Sequence, residues 1–346
     1  MTTTQKALVL VEVGKPLTLM SVPIPEPEEN EILIKLTATG LNALDQKLRD
    51  YNVLNIDIPA ILGLDLVGTV VKNGPGNTAS FPIGSHVFSQ YSNMSCAGLQ
   101  EYSLIKAPYT ALVPPGISDE DAAFPINAFT STVCLFHPEI GFGFPFPGTP
   151  EAATFDYSAQ TIVIIGGGTN CGKLGIQMAR IAGIGTIITT ASLAGGAEAE
   201  LKAFGATHVI SRHAPAAEIE KQVRSIVGDE LVHVYDTFHL DDHSLAVSLL
   251  SNSKQGTYTS LLPGAPSAAV AAQKKAGYKG FHLTGSSAAS PDLAVLFWKL
   301  FPLWLQSGEV KPSKYSVIEG LDAEMVNKAL DGYKDLATGK RYHVRF

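Results

Sequence analysis

The strongest constraint on this chain is the rhythm of residues 161–285, where short β-branched runs alternate with helical patterns. Thr161–Ile165 (TIVII) opens it, an apolar run suited to a strand covered on both faces. Strand runs recur at Thr186–Ala191, His208–Ser211, Leu231–Asp236, Gly256–Leu262 and Phe281–Gly285. Helical spacing fills the gaps at Cys171–Ala182, Ala197–Phe204, Pro215–Val227, Asp241–Leu250 and Pro266–Ala276. Parallel neighbours need a crossover, and a helix between successive strands supplies it, so the segment predicts a doubly wound parallel sheet of six strands.

Residues 1–123 read differently. Alternating runs such as Glu31–Thr39 and Leu64–Val71, separated by Gly- and Pro-rich turns, predict a compact antiparallel β domain. Between the halves, His137–Ser158 is too rich in Pro and Gly for a helix and too aromatic for an inert linker, and is expected to pack as a loop near the cleft. Pro291–Phe346 begins with an amphipathic helix and ends in a strand-like tail, RYHVRF, expected to return to the first domain. A length of 346 residues fits two domains, and 45% hydrophobic residues fill a sizeable core.

With a formal charge of -7 and no basic run, the chain lacks the electrostatic footprint of a nucleic-acid binder. Met1–Lys6 lacks the apolar core of a secretory signal, and Leu293–Leu305 is too short to span a bilayer and carries Lys299 and Pro302. The three cysteines, Cys96, Cys134 and Cys171, are odd in number and widely spaced. These features predict a soluble, cytoplasmic protein with no membrane partner.

Gly166, Gly167, Gly168, Thr169, Asn170, Cys171 and Gly172 leave the first strand and enter a helix. There glycines let backbone approach a pyrophosphate, and the helix start offers N–H groups and positive dipole. Gly167–Lys173 also fits the opening of a nucleoside-triphosphate loop, but Leu174 stands where a magnesium-holding Ser or Thr is required. Dinucleotide binding is the reading that survives. NAD sites place a carboxylate about 20 residues past the turn, on the ribose 2′-OH. Here Thr189–Gly196 holds none before Glu198, and Ser192 can donate to a 2′-phosphate, with Lys173, Lys202, Arg212 and His213 as cationic candidates. NADPH is therefore the expected cofactor.

LTATGLNALDQK (36–47), LGLDLVGTVV (62–71), GLQEY (98–102), ALVPPGISDEDAAFPINAFTS (111–131), the glycine turn and GTYTSLLPG (256–264) together resemble the zinc-free, quinone-oxidoreductase-like branch of the medium-chain dehydrogenase/reductase superfamily over nearly the whole chain. The resemblance implies a GroES-like catalytic domain, residues 1–123 completed by 289–346, and a Rossmann domain, 124–288. The Pro- and Phe-rich insert is similar to that of fungal trans-acting enoyl reductases, which makes a polyketide synthase a candidate partner and secondary metabolism a candidate setting. Whether the chain is a monomer or a homodimer stays open.

In zinc-dependent relatives a cysteine follows the early Thr-Gly motif, where this chain has Asn42. Their Gly-His-Glu ligand motif is Gly63-Leu64-Asp65 here, and the four-cysteine lobe is missing. Without thiolate and imidazole ligands no zinc is expected. The resemblance makes Lys47 the leading catalytic candidate, with Asn42 and Thr130; Lys47 would bind the ribose, polarise a carbonyl or deliver a proton, and the alternative is a solvated surface lysine. Leu44, Asp45, Gln46 and Lys47, the glycine turn, Ser192–Gly195, Arg212, Leu261 and Leu262 would touch the dinucleotide. Arg212 either brings a cation towards the 2′-phosphate or is a surface change. Asn127, Thr130 and the Thr284, Gly285, Ser286 stretch would border the substrate. Thr338-Gly339 would match a further cofactor contact.

Three features have plainer explanations. His239 and His243 have metal-ligand spacing, but the intervening aspartates are ordinary helix caps. The aromatic stripe Leu296–Leu305 is a partner surface, a substrate wall or core packing. Cys171 belongs to the cofactor turn, and no GxSxG elbow supports a serine nucleophile. The expected reaction is NADPH-dependent, metal-free reduction of the C=C bond of an enone or enoyl thioester. The alternatives are quinone or ketone reduction with the same cofactor, and a non-catalytic cofactor-binding partner of a synthase.

Overall fold

A computed structural model describes residues 3–75, 81–94, 96–334 and 341–346. The chain divides into two compact units: Met1–Ile126 with Ala294–Phe346, and Asn127–Leu293.

The first unit is built on strands β1 (Thr4–Leu10), β2 (Thr18–Pro23), β3 (Glu31–Leu41), β4 (Ala60–Ile61), β5 (Asp65–Asn73), β6 (His86–Gln90), β7 (Tyr102–Lys106) and β8 (Thr110–Leu112). Helix α1 (Ala43–Tyr51) follows β3, and the short α2 (Asp119–Ala122) follows β8. Helix α3 (Pro125–Phe136) leads into the second unit.

There, β9 (Thr161–Ile165), β10 (Thr186–Ala191), β11 (His208–Ser211), β12 (His233–Asp236), β13 (Gly256–Ser260) and β14 (Tyr278–His282) are separated by α4 (Asn170–Ala182), α5 (Ala197–Phe204), α6 (Ala216–Val227), α7 (Ser244–Leu249) and α8 (Ala268–Gln273). Helix α9 (Pro291–Ser307), β15 (Tyr315–Glu319), α10 (Ala323–Asp331) and β16 (Arg341–Arg345) close the chain.

The second unit is the doubly wound sheet. Its strand order is β11-β10-β9-β12-β13-β14, and every pair is parallel. The order in which strands are added reverses between β9 and β12, the switch point where such sheets receive ligands beyond the carboxyl ends of their strands. Buried Val163, Ile165, Ile188, Val234 and Tyr258 make one core layer with Ile219, Val223 and Val247 from the helices. Sequence boundaries for β9, β10, β11 and α5 coincide with the structure, whereas β14 lies at 278–282 rather than 281–285 and α7 begins at Ser244 rather than Asp241.

The first unit is GroES-like. A sheet ordered β15-β16-β3-β5-β6-β8, with β7 on β3, packs beside a smaller β2-β1-β4 sheet. The tail returns as expected: β16 pairs antiparallel with β3, Tyr342 opposite Leu41. The aromatic residues of the α9 stripe are core, while Leu296 and Leu303 on its other face are exposed: Phe297 and Phe301 stack at 4.6 Å, and Phe301 and Trp298 pack on Phe88 and Phe124. Among the described residues no helix is long and apolar enough to cross a membrane.

One placement corrects the sequence reading. The 137–158 insert does not lie near the carboxyl edge of the sheet. Phe142 and Phe144 pack on His233, the first residue of β12, and the Tyr157 carbonyl accepts from Gly185 N–H just before β10. The insert therefore covers the amino edge, opposite the glycine turn.

Candidate active site

The glycine turn leaves β9 at Gly166, whose φ of 84° is left-handed backbone that glycine takes without strain. Gly166 and Gly167 N–H both reach the Thr190 carbonyl, at 3.2 and 2.9 Å. Thr169 caps α4 by accepting from Gly172 N–H at 2.9 Å, and its hydroxyl meets Thr237 Oγ1 at 2.8 Å. Thr237 in turn donates within reach of the Ile165 and Gly166 carbonyls, which ties the turn to the end of β12.

Two glycines admit no side chain: a Cβ on Gly167 would sit 2.1 Å from Thr189 Oγ1, and one on Gly172 would sit 2.2 Å from the Gly166 carbonyl. A Cβ on Gly168 would meet nothing within 4 Å. The turn is thus closed on its protein side and open on the side of the helix start, which fits a pyrophosphate drawn to N–H groups and helix dipole. Gly168→Val is accordingly expected to leave thermal unfolding within about 1 kcal/mol of wild type while cutting dinucleotide affinity at least about tenfold by calorimetry. An unchanged affinity would show that the open side of the turn receives nothing.

Helix α3 is fastened to the same turn. Asn127 Nδ2 donates to Cys171 Sγ at 3.4 Å and Ser131 Oγ donates to the Cys171 carbonyl at 2.9 Å. Thr130, one turn from Asn127, is buried.

Beyond β10 the first carboxylate is Glu198, and it pairs with Lys202 at 2.7 Å. Lys173 is buried against Glu200 at 3.0 Å. Two of the four cations considered for a 2′-phosphate are therefore committed to carboxylates, which corrects their assignment. Arg212 is not paired in this way: its guanidinium lies 5.0 Å over the Phe238 ring, carried from the end of β11 to the end of β12.

In the first unit, α1 begins from a buried polar cluster. Asp45 accepts from Asn42 N–H at 2.7 Å and Gly63 N–H at 2.8 Å. Burial pushes its carboxyl up to about 7 against those bonds. Asn42 Nδ2 donates to Asp65, which also takes Arg341 at 2.6 Å and Ile126 N–H at 2.7 Å. Arg49 takes Asp50 and Asp331 at 2.7 and 2.6 Å. Lys47, on the same helix, is half-buried and makes no ion pair within 4 Å among the described residues. Burial pulls its pKa below the usual lysine range, partly offset by Asp50. A half-buried, unpaired lysine with a lowered pKa is a functional candidate.

Residues 28–122 match the alcohol dehydrogenase GroES-like domain. The chain is 28% identical to Dehydrogenase orsE of Emericella nidulans, over 94% of this chain and 95% of that protein. It is 26% identical to Trans-enoyl reductase tndF of Aspergillus flavipes, over 98% of each. The quinone oxidoreductase of Pseudomonas syringae pv. Tomato DC3000 superposes with a TM-score of 0.78 at 21% identity, covering 99% of this chain and 100% of that one. The chain has the fold of the medium-chain dehydrogenase/reductase superfamily and is similar over nearly its whole length to fungal dehydrogenases and enoyl reductases.

Within this superfamily's two-unit plan, the residues singled out from sequence fall into separate groups. Asn42, Leu44, Asp45, Gln46 and Lys47 lie on or beside α1 in the first unit; Asn127, Thr130, the glycine turn, Ser192, Arg212, Leu261, Leu262 and Thr284–Ser286 lie in the second. Asp45 and Gln46 are fully buried and turned inward, Gln46 donating to Asp50 at 2.8 Å, so their side chains hold the helix. Thr284–Ser286 follows β14 as irregular backbone. Thr338-Gly339 lies outside the described residues.

Asn42 and Asp65, at the positions of the zinc-ligand motifs, are bonded to each other, and Asp65 also takes Arg341. His239 and His243 each direct Nδ1 to Asp236, and no group of three His, Cys, Asp or Glu arranged for a metal occurs among the described residues. Reading the sequence missed Arg341, Thr237, Phe238 and Asp236. Only the last carried a signal, an acidic residue ending an otherwise apolar strand.

Proposed function

We propose that this protein reduces the C=C bond of an α,β-unsaturated carbonyl compound, an enone or enoyl thioester, with NADPH. The similarity to dehydrogenases and enoyl reductases supports an NAD(P)-dependent oxidoreductase; the substrate and the phosphate preference are the proposal. When bound, the nicotinamide supplies a hydride to the β-carbon.

Lys47 carries the reading. An ammonium kept half-buried, with no carboxylate within ion-pair distance among the described residues, is suited to stabilise developing enolate oxygen and to return a proton to the α-carbon. Thr130 is assigned a second donor role and Asn127 a place beside the substrate. A dispersed enolate charge needs less Lewis acidity than an alkoxide, which favours enone reduction over alcohol oxidation where the ligand motifs hold Asn42 and Asp65. Glycines 166–172 take the pyrophosphate. Ser192 follows a strand that carries no carboxylate, and Arg212, held over Phe238, is the cation assigned to a 2′-phosphate.

The test is loss of NADPH absorbance when the protein meets a medium-chain 2-enoyl thioester, with NADH in parallel. Turnover is expected with NADPH and at least about tenfold slower with NADH. Equal rates would remove the Ser192 argument, and no turnover with either would shift the reading to quinones.

A further inference from the structure

His243 precedes α7 and is fully buried, as is Asp236 at the end of β12. A neutral imidazole has one N–H and one acceptor nitrogen. Both nitrogens of His243 face oxygen: Nδ1 lies 3.1 Å from Asp236 Oδ2 and Nε2 lies 3.2 Å from the Leu262 carbonyl. Asp236 is ringed by donors, accepting from Phe238 and His239 N–H at 3.1 and 3.0 Å and from His239 Nδ1 at 3.0 Å. An ionised carboxylate and a carbonyl only accept, so the doubly protonated ring alone satisfies both contacts. Gly264 completes the fit, because a Cβ there would stand 2.8 Å from His243 Nε2.

We propose that His243, protonated on both ring nitrogens, is a positioning residue that locks the Leu261–Gly264 turn to Asp236, and that loss of one proton releases the turn and weakens dinucleotide binding. The second half rests on the reading that Leu261 and Leu262 touch the cofactor. Ser260 Oγ also donates to the Leu262 carbonyl, at 2.8 Å, so the released turn keeps one tether.

The groups around the ring favour its charge. Asp236 lifts His243 above the usual histidine value through its hydrogen bond, against burial and the nearby His239. Asp242 faces the pair from the loop before α7, and Tyr258 packs on the ring from β13 at 5.5 Å. A raised folded pKa means that the clamp contributes fully below about pH 6.5 and is lost as pH rises through the folded value.

Amide exchange across Leu261–Ala265 in the cofactor-free protein, corrected for intrinsic rates, is expected to show about tenfold less protection at pH 9 than at pH 6. NADPH affinity by calorimetry should fall several-fold over the same interval. His243→Gln should abolish both slopes and His239→Gln should keep them. A turn whose protection is independent of pH in the wild type overturns the proposal with no variant needed. A pH-dependent turn in a chain that binds neither NADPH nor NADH upholds the clamp and overturns the dinucleotide reading. NADPH binding with no slope in affinity or protection overturns the clamp and leaves that reading standing.

Discussion

Lys47→Ala is expected to lower kcat for 2-enoyl thioester reduction by about 100-fold while leaving NADPH affinity within about threefold of wild type. The expectation follows from how α1 spends its cations. Arg49, two residues on, is locked between Asp50 and Asp331, whereas Lys47 is half-buried without such a pair. Its removal costs no structural ion pair, so unfolding should barely change. Because burial lowers its pKa, the alkaline limb of the wild-type rate profile should lie below the usual lysine value near 10.4 and should vanish in the variant. Parallel loss of affinity and turnover would instead assign Lys47 to the ribose. If neither changes, the catalytic assignment of Lys47 fails.

The largest effect on stability is expected from Arg341→Met, a loss of about 3–5 kcal/mol. Arg341 is 1% exposed and Asp65 is 0% exposed. The guanidinium donates to Asp65 at 2.6 Å, to the Ala123 carbonyl at 2.7 Å and to His343 Nε2 at 2.7 Å. Truncating one partner leaves a carboxylate in a medium that solvates it poorly, which is the costly half of a buried pair. Asp65→Leu combined with Arg341→Met removes both charges and should recover most of the loss. The chain's two tryptophans, Trp298 and Trp304, both lie in the first unit, so their fluorescence during urea unfolding reads this region alone. A single-variant loss below about 1 kcal/mol would show that the pair matters little to the fold.

Legibility followed the reach of the interactions. TIVII and TIITTA were readable because a strand buried on both faces is apolar whatever its neighbours, and the glycines because a strand and a helix flank them. The end of β14 was misplaced because its register is set by pairing with Gly256–Ser260 and not by its own apolar residues. The expected helix start at Asp241 gave way to Ser244 because Asp236 draws His239 and His243 onto one carboxylate. The insert was put at the wrong edge although the answer was available: in a parallel sheet, whatever directly precedes a strand meets the amino edge, and the glycine turn leaves by the other. Lys47 was proposed through a motif. Arg341 was out of reach, since no local pattern links it to Asp65, 276 positions away.

That distance has a consequence during synthesis. Leu41 pairs with Tyr342, about 300 residues later, which at ribosomal speeds is roughly 15 to 60 seconds. Until then β3 lacks its β16 neighbour and Asp65 lacks its cation, while the whole parallel sheet of the second unit has already been made. The unit encoded first is thus the one finished last, and its bare strand edge is a surface that a nascent-chain chaperone would have to shield.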